Sequence, residues 1–332
     1  MKNFNLILTI LIFYFHILIA ASSDPVFGEN GMIVSTSKQA SEAGIEILKK
    51  GGNAVDAAVA GGFALAVTSS SNGNIGGGGF MVAAMTDGET FTLDYREKAP
   101  AAAHRDLFLN DSGNVVPGMS LFSRAGSGVP GTVDGLIRAL ADHGSGNITL
   151  RQALAPAIRL AEKGFELSHY EARRFNGYEG LFQSNDAAAA IFIRKNNNPW
   201  KKGDKLVQRD LAKTLKRISK YGRDGFYTGP IADLIVAEMK RGNGLISLED
   251  LKNYLSVYRD HVSGTYNGHE VISMGPPSSG GALLVNMMNM LENYPVDSLG
   301  WNSSDYIHLL TEVERRAYAD RAEHMGDSDF WD

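Results

Sequence analysis

The side chain with the clearest chemical use is Arg96, in the run Leu93-Asp-Tyr-Arg-Glu-Lys-Ala-Pro100. A planar guanidinium holds a carboxylate through two parallel hydrogen bonds, which fix both its position and its plane. Alternation from Thr90 to Tyr95 puts Phe91, Leu93 and Tyr95 on one face of a strand, with Thr92, Asp94 and Arg96 on the other at its end. Spacing alone favours a structural ion pair of Arg96 with Asp94 or Glu97, and leaves a carboxylate ligand as the second reading. The four glycines Gly76 to Gly79 form another candidate. They read as a flexible loop, or as a rigid crossing where backbone approaches a ligand or a second chain. Their place between a tightly packed helix and a buried strand favours the crossing. No Gly-Lys-Ser/Thr follows, so they are not a P-loop.

Other patterns lack their chemical partners. Gly126-Ser-Gly-Val-Pro-Gly131 has glycines at dinucleotide spacing, but no apolar strand precedes it and no acid lies about 20 residues on, so it reads as a turn into a helix. Gly326-Asp-Ser-Asp has the start of a serine-nucleophile motif, but only four residues follow Ser328 and none is a base. Neither a G-x-S-x-G elbow nor an H-E-x-x-H helix occurs. His308 and Glu312 share a helix face of the kind usually solvated. Three glycosylation sequons start at Asn110, Asn147 and Asn302 and matter only in a eukaryotic secretory route. Cys is absent, which excludes disulfides, thiolate metal sites, Fe–S clusters and a Cys nucleophile. No metal and no cofactor is expected.

These residues need elements to carry them. Gly31 to Ser35 reads as a brief strand. Ala40, Ala43, Gly44, Ile47 and Leu48 recur at helical spacing, and Gly51-Gly52 ends that helix. Asn53 caps the next, with Asp56 in its first turn. Its predicted stripe is Val55, Ala58, Val59, Gly62, Phe63, Ala66 and Val67. Phe80 to Met85 reads as a buried strand, turned by Asp87-Gly88 into Thr90–Tyr95. Helices follow, marked by Leu154, Ile158, Leu160 and Ala161, then Leu211, Leu215 and Ile218, then Ile231, Leu234 and Ile235. Asn267-Gly268 turns a second hairpin, Val262–Tyr266 into His269–Met274. The last two helices carry Leu284, Met287, Met288 and Leu291, then Tyr306, Leu309, Leu310, Val313 and Ala317. This mixed α/β order, helix-helix-loop-hairpin at its start, is not the β-α-β order of a nucleotide fold.

With 332 residues, 44% hydrophobic and 21% charged, the chain has the composition of a large globular α/β protein. The net charge of −5, without a basic run, argues against nucleic acid as a partner. Met1-Lys2 followed by the apolar stretch Leu6 to Ala21 has the layout of a secretory leader, cleaved near Ala21–Ser23. At 16 residues the stretch is short of the roughly 20 that span a bilayer. The expected organisation is a leader over 1–22 and one domain over 23–332. The protein is expected to be periplasmic or secreted, with no stable membrane span after leader removal.

Six segments together resemble the γ-glutamyltranspeptidase family, in family order. They are Gly51-Gly-Asn-Ala-Val-Asp-Ala-Ala58, Gly73-Asn-Ile-Gly-Gly-Gly-Gly-Phe80, Leu93 to Pro100, Val129-Pro-Gly-Thr-Val133, Pro276-Pro-Ser-Ser-Gly-Gly281, and Tyr318-Ala-Asp-Arg321 with Gly326-Asp-Ser-Asp-Phe330. The resemblance implies an N-terminal nucleophile hydrolase fold, an αββα sandwich left incomplete without the small subunit. It implies a precursor that cuts itself into a large and a small subunit. The small subunit's new N-terminal Thr would attack the γ-glutamyl amide of glutathione. Water or an acceptor amine would then take the glutamyl group from the acyl-enzyme. The free α-amine of such a Thr has a pKa near neutrality and serves as base to its own hydroxyl.

The resemblance makes this chain the large-subunit portion, with no catalytic residue of its own and the Thr expected downstream of Asp332. It reverses the assignment of Arg96, which would grip the α-carboxylate of the γ-glutamyl group. Gly73 to Gly79 become scaffold near that site. Ser278-Ser279 belongs to the large subunit and is not the small subunit's Ser-Ser pair. The implied partners are a γ-glutamyl substrate and a small subunit from the same precursor. Three alternatives remain at this point: a related cephalosporin acylase, a poly-γ-glutamate depolymerase, and a non-catalytic exported binding protein.

Overall fold

The computed structural model describes residues 25–194 and 198–330. The expected leader and its cleavage point lie outside the described residues. The chain divides into two units, Met1–Met32 and Ile33–Asp332. Of the first, residues 25–32 are exposed and carry no helix or strand. The expected strand at Gly31–Ser35 does not form.

In the second unit, helices α1 (Lys38–Lys49) and α2 (Ala54–Thr68) lead through the glycine loop into strands β1 (Phe80–Ala84) and β2 (Thr90–Asp94). A short helix α3 (Met119–Phe122) and a 3-10 turn (Arg124–Gly126) precede α4 (Thr132–His143) and α5 (Leu150–Lys163). The middle holds β3 (Phe165–Glu166), α6 (His169–Gly177), α7 (Glu179–Gln183), α8 (Asp186–Phe192), β4 (Lys205–Leu206), α9 (Arg209–Tyr221), α10 (Asp224–Tyr227), α11 (Pro230–Arg241) and α12 (Leu248–Asn253). Strands β5 (Val257–Arg259), β6 (His261–Tyr266) and β7 (His269–Met274) then lead to α13 (Gly280–Leu291) and α14 (Ser304–His324).

The caps explain why the first helices start where they do. The Ser37 side chain accepts from the Ala40 amide. Asn53 and Asp56 form a reciprocal capping box at the start of α2, satisfying two amides the helix leaves open. From there α2 runs through the core, packed on α1, α4 and α5. It is buried on nearly every side, through Ala57, Ala60, Gly61 and Ala64 as well as Val55, Val59, Phe63 and Val67. The expected single stripe was too narrow, and Ala58 within it is exposed. Small side chains let neighbouring helices approach from several directions at once.

Strands β1, β2 and β5 make one antiparallel sheet with β2 in the middle. β2 is buried on both faces, since Thr92 and Asp94 are as enclosed as Phe91 and Leu93. β1 is one of its two edges, and Val82 and Ala84 stay exposed, so the expectation of a buried first strand fails. The β6–β7 hairpin turns at Asn267 (φ 50°) and Gly268 (φ 76°), the positive pair that a tight type I′ turn requires. Its strands pack on α13, β7 meets β1, and α14 packs on α13. In α13 the buried residues are Gly281 and Leu283, whereas the predicted Leu284, Met287, Met288 and Leu291 are half-buried. In α14 only Val313 and Ala317 of the predicted set are buried.

Candidate functional site

β2 ends at Asp94, two residues before Arg96, so Arg96 belongs to the turn after the strand rather than to its last position. The turn is held from both sides. The Arg96 amide donates to Asp94 Oδ1 at 2.9 Å, and the Tyr254 hydroxyl donates to the Arg96 carbonyl at 2.7 Å. Just before it, Tyr95 and Gly79 exchange two backbone hydrogen bonds, at 3.0 and 3.2 Å, carrying the β1–β2 pairing one step further.

The glycine run lies directly against this turn. A Cβ on Gly78 would sit 2.7 Å from the Glu97 nitrogen and 2.9 Å from the Arg96 carbonyl carbon, closer than any side chain tolerates. The Gly77 carbonyl accepts from the amides of Gly131 and Thr132, at 2.8 and 3.0 Å, at the start of α4. The run is therefore a close crossing, and what it approaches is the Tyr95–Glu97 segment of its own chain. The Gly126–Gly131 pattern is the expected turn into a helix, and its last glycine makes this contact.

Behind the turn sits a buried polar frame. Asp134 of α4 accepts from Arg223 Nε at 2.8 Å through one oxygen, and from the Ser256 amide and hydroxyl at 2.7 Å each through the other. The Tyr227 hydroxyl donates to the Pro130 carbonyl at 2.8 Å, and its ring stacks on Tyr254 with centroids 5.8 Å apart. The Tyr95 ring lies against Gly135 of α4, where a Cβ would come within 2.6 Å of Cδ1. Burial pushes the Tyr95 phenol up to about 12 and raises those of Tyr227 and Tyr254 above the ordinary range.

The guanidinium of Arg96 itself is half in solvent, its side chain 55% exposed. Its ion partner is Glu97, at 3.4 Å, and it lies 5.5 Å from the Phe80 ring centroid. Of the two structural partners expected from spacing, Asp94 is taken. Asp94 Oδ2 accepts from Arg259 Nε at 2.7 Å, with both side chains largely buried. The other two nitrogens of Arg259 fork onto Asp329, at 2.9 and 2.8 Å. These two carboxylates hold the Arg259 guanidinium strongly in its charged form.

Tyr254, Arg259 and Asp329 carried no signal as site residues. Asp329 stood only inside a matched segment, and the separations to its partners are too long for local patterning to show. The remaining sequence candidates lie elsewhere. His308 is exposed, and Glu312 is held by Arg315 and Arg316, whose hydrogen bonds, with their charges, lower its carboxyl to about 2. Ser279 Oγ accepts from Arg321 Nε at 2.9 Å, joining two of the matched segments. Among the described residues, no group of three or more His, Cys, Asp or Glu is arranged to hold a metal. No helix among them is long and apolar enough to cross a membrane.

With a three-stranded sheet, flanking helices and a fixed arginine turn in place, the class of protein is defined by comparison. The gamma-glutamyltranspeptidase family model matches residues 40–332, and the chain belongs to that family. It is 46% identical over 312 residues to the glutathione hydrolase proenzyme of Pseudomonas sp. (strain A14), covering 94% of this chain and 54% of that protein. It is 45% identical to the glutathione hydrolase proenzyme of Escherichia coli (strain K12), covering 92% of this chain and 52% of that protein. The chain thus spans about half the length of the curated relatives it matches. The crystal structure of Helicobacter pylori gamma-glutamyltranspeptidase superposes with a TM-score of 0.89 at 44% identity, covering 92% of this chain and 87% of that one. The architecture is the mixed α/β fold of those N-terminal nucleophile hydrolases.

Proposed function

We propose that this chain is the large-subunit part of an exported precursor that matures into a γ-glutamyltransferase and glutathione hydrolase. Arg96 carries the reading. Its backbone is fixed at both the amide and the carbonyl, while its guanidinium stays half in solvent, beside Glu97 and the Phe80 ring. That combination suits a group that must be pre-placed yet open to an incoming carboxylate. The α-carboxylate of a γ-glutamyl compound such as glutathione docks there. The nucleophile is the N-terminal Thr of a small subunit from the same precursor.

The Thr hydroxyl attacks the γ-carbonyl carbon while its own α-amine takes the proton. That proton leaves on the departing amine as the amide bond breaks. Water or an acceptor amine then attacks the acyl-enzyme, restores the Thr hydroxyl and releases glutamate or a new γ-glutamyl amide. The exposed Val82 and Ala84 of β1 support a second chain packing here, because apolar side chains left in solvent favour being covered. Export to the periplasm or medium rests on the Leu6–Ala21 stretch.

The test is turnover of a chromogenic γ-glutamyl anilide. A precursor carrying this chain joined to a small subunit should cleave itself and release the chromophore. The 332-residue chain alone should do neither. A joined precursor that self-cleaves yet leaves the anilide intact would sink the reading.

A further inference from the structure

We propose that Arg259 is a positioning residue for Arg96, and that it works by occupying Asp94. This inference rests on the carboxylate-gripping role proposed above. Asp94 lies two residues before Arg96, and its side chain is 6% exposed. Its carboxylate has two separate duties: Oδ1 accepts from the Arg96 amide, and Oδ2 accepts from Arg259 Nε. A buried carboxylate stripped of its cation is costly and turns to any cation within reach. The nearest in sequence is the Arg96 guanidinium, whose present ion partner is the looser, half-exposed Glu97 at 3.4 Å.

Arg259 therefore satisfies the charge of Asp94 so that the Arg96 guanidinium stays open. Its own placement is fixed by geometry that an arginine supplies and a lysine cannot. One edge of the planar group meets Asp94 while the opposite fork meets Asp329. Register pins the backbone as well. Arg259 stands opposite Thr92 in the β2–β5 ladder, and the Thr92 hydroxyl donates to the Arg259 carbonyl. Asp329 belongs to the turn after α14, so one guanidinium joins that turn to the strand leading into Arg96.

The test is an ion-pair exchange in the joined precursor. Arg259→Gln should raise KM for the γ-glutamyl anilide about five- to tenfold, with kcat changed by less than about twofold, as Asp94 captures Arg96. Adding Asp94→Asn to the same chain removes the capturing charge and keeps an acceptor for the Arg96 amide, so KM should return close to wild type. A residue that merely stabilises the fold would not be rescued by losing a second charge. Arg315→Gln, which breaks a surface pair on α14, serves as the control and should leave KM alone. An unchanged KM in Arg259→Gln, or no recovery in the double variant, overturns the proposal. Where Arg259→Gln fails to accumulate, the double variant decides by itself: a KM near wild type supports the proposal and a raised one overturns it.

An activity-free reading separates this inference from the proposed function. The Arg96 Nε–H resonance, assigned by its loss in Arg96→Lys, should exchange more slowly with water in Arg259→Gln and return to normal in the double variant. Wild-type precursor that turns over no γ-glutamyl substrate would end the functional reading, while this exchange measurement would still decide the ion-pair switch.

Discussion

The Tyr254 hydroxyl reaches across 158 residues of sequence to donate to the Arg96 carbonyl at 2.7 Å. A tyrosine just before β5 thereby sets the direction in which an arginine just after β2 leaves the backbone. Its ring is stacked on Tyr227, which in turn holds the Pro130 carbonyl ahead of α4. The turn that carries Arg96 is thus tied to the same frame that fixes the start of α4.

Tyr254→Phe keeps the stacked ring and removes only the hydroxyl. It should cost about 0.5–1.5 kcal/mol of stability, the usual net worth of one such hydrogen bond. Urea titration should show a lower midpoint with an unchanged slope. An unaltered midpoint would mean the bond contributes nothing to the folded state.

Arg96→Lys in a joined precursor would replace the proposed two-pronged carboxylate grip by a point charge. The expected loss in kcat/KM for γ-glutamyl substrates is about 2–5 kcal/mol, mainly through KM. Self-cleavage, which needs no substrate carboxylate, should survive. Normal kinetics would remove the carboxylate role, and failed maturation with intact binding would make Arg96 a structural residue.

Gly78→Ala should destabilise the fold by about 1–3 kcal/mol, because its Cβ meets rigid backbone at Glu97 and Arg96. Gly180→Ala is the contrast. It lies in α7 with nothing within 4 Å, and should be neutral or stabilising by up to about 1 kcal/mol. Thermal or urea unfolding of the pair checks the sign at each position.

Alkali should unfold the protein through its buried tyrosines. Burial raises the Tyr95 phenol from its ordinary value near 10 to about 12, so the folded state keeps a proton that the unfolded chain has lost. The stability this gives is whole below pH 10 and is lost as pH rises towards 12. Tyr227, Tyr254 and Tyr258 are shifted upward as well, in each case chiefly by burial. Tyrosinate absorbance should therefore rise together with loss of circular dichroism, and Tyr95→Phe should flatten the dependence. Full ionisation of these groups in a still-folded protein would contradict their enclosure.

Local signals were legible because their physics is local. The Asn53 cap, the Asp87-Gly88 and Asn267-Gly268 turns and the amphipathic α9 depend on residues a few positions apart. The surroundings of α2 were not legible, since Ala57, Ala60 and Gly61 look like either face of a helix until its neighbours are known. The exposure of β1 has the same cause, because an apolar run does not say whether a second layer covers it. At the site, Arg96 stood out by its chemistry, and spacing favoured a structural pair with Asp94 or Glu97. The pair that forms is with Glu97, the adjacent residue, whereas the partner of Asp94 lies 165 residues away, beyond the reach of local patterning. The carboxylate reading of Arg96 came only from the family resemblance, carried by several segments at once.

The separation of Tyr254, Arg259 and Asp329 from Arg96 also sets an order of events during synthesis. A ribosome delivers the chain from its N-terminus, and early segments begin to fold before late ones exist. By the time α5 has emerged, α1, α2 and α4 are all available to pack around one another. The Arg96 turn then has its glycine crossing, its Asp94 acceptor and the start of α4, but neither the hydroxyl nor the guanidinium that fixes it. Contacts that close such long stretches of chain form slowly. The Arg96 segment is therefore among the last parts of the chain to take its final shape, and a half-made chain carries its arginine without the contacts that aim it.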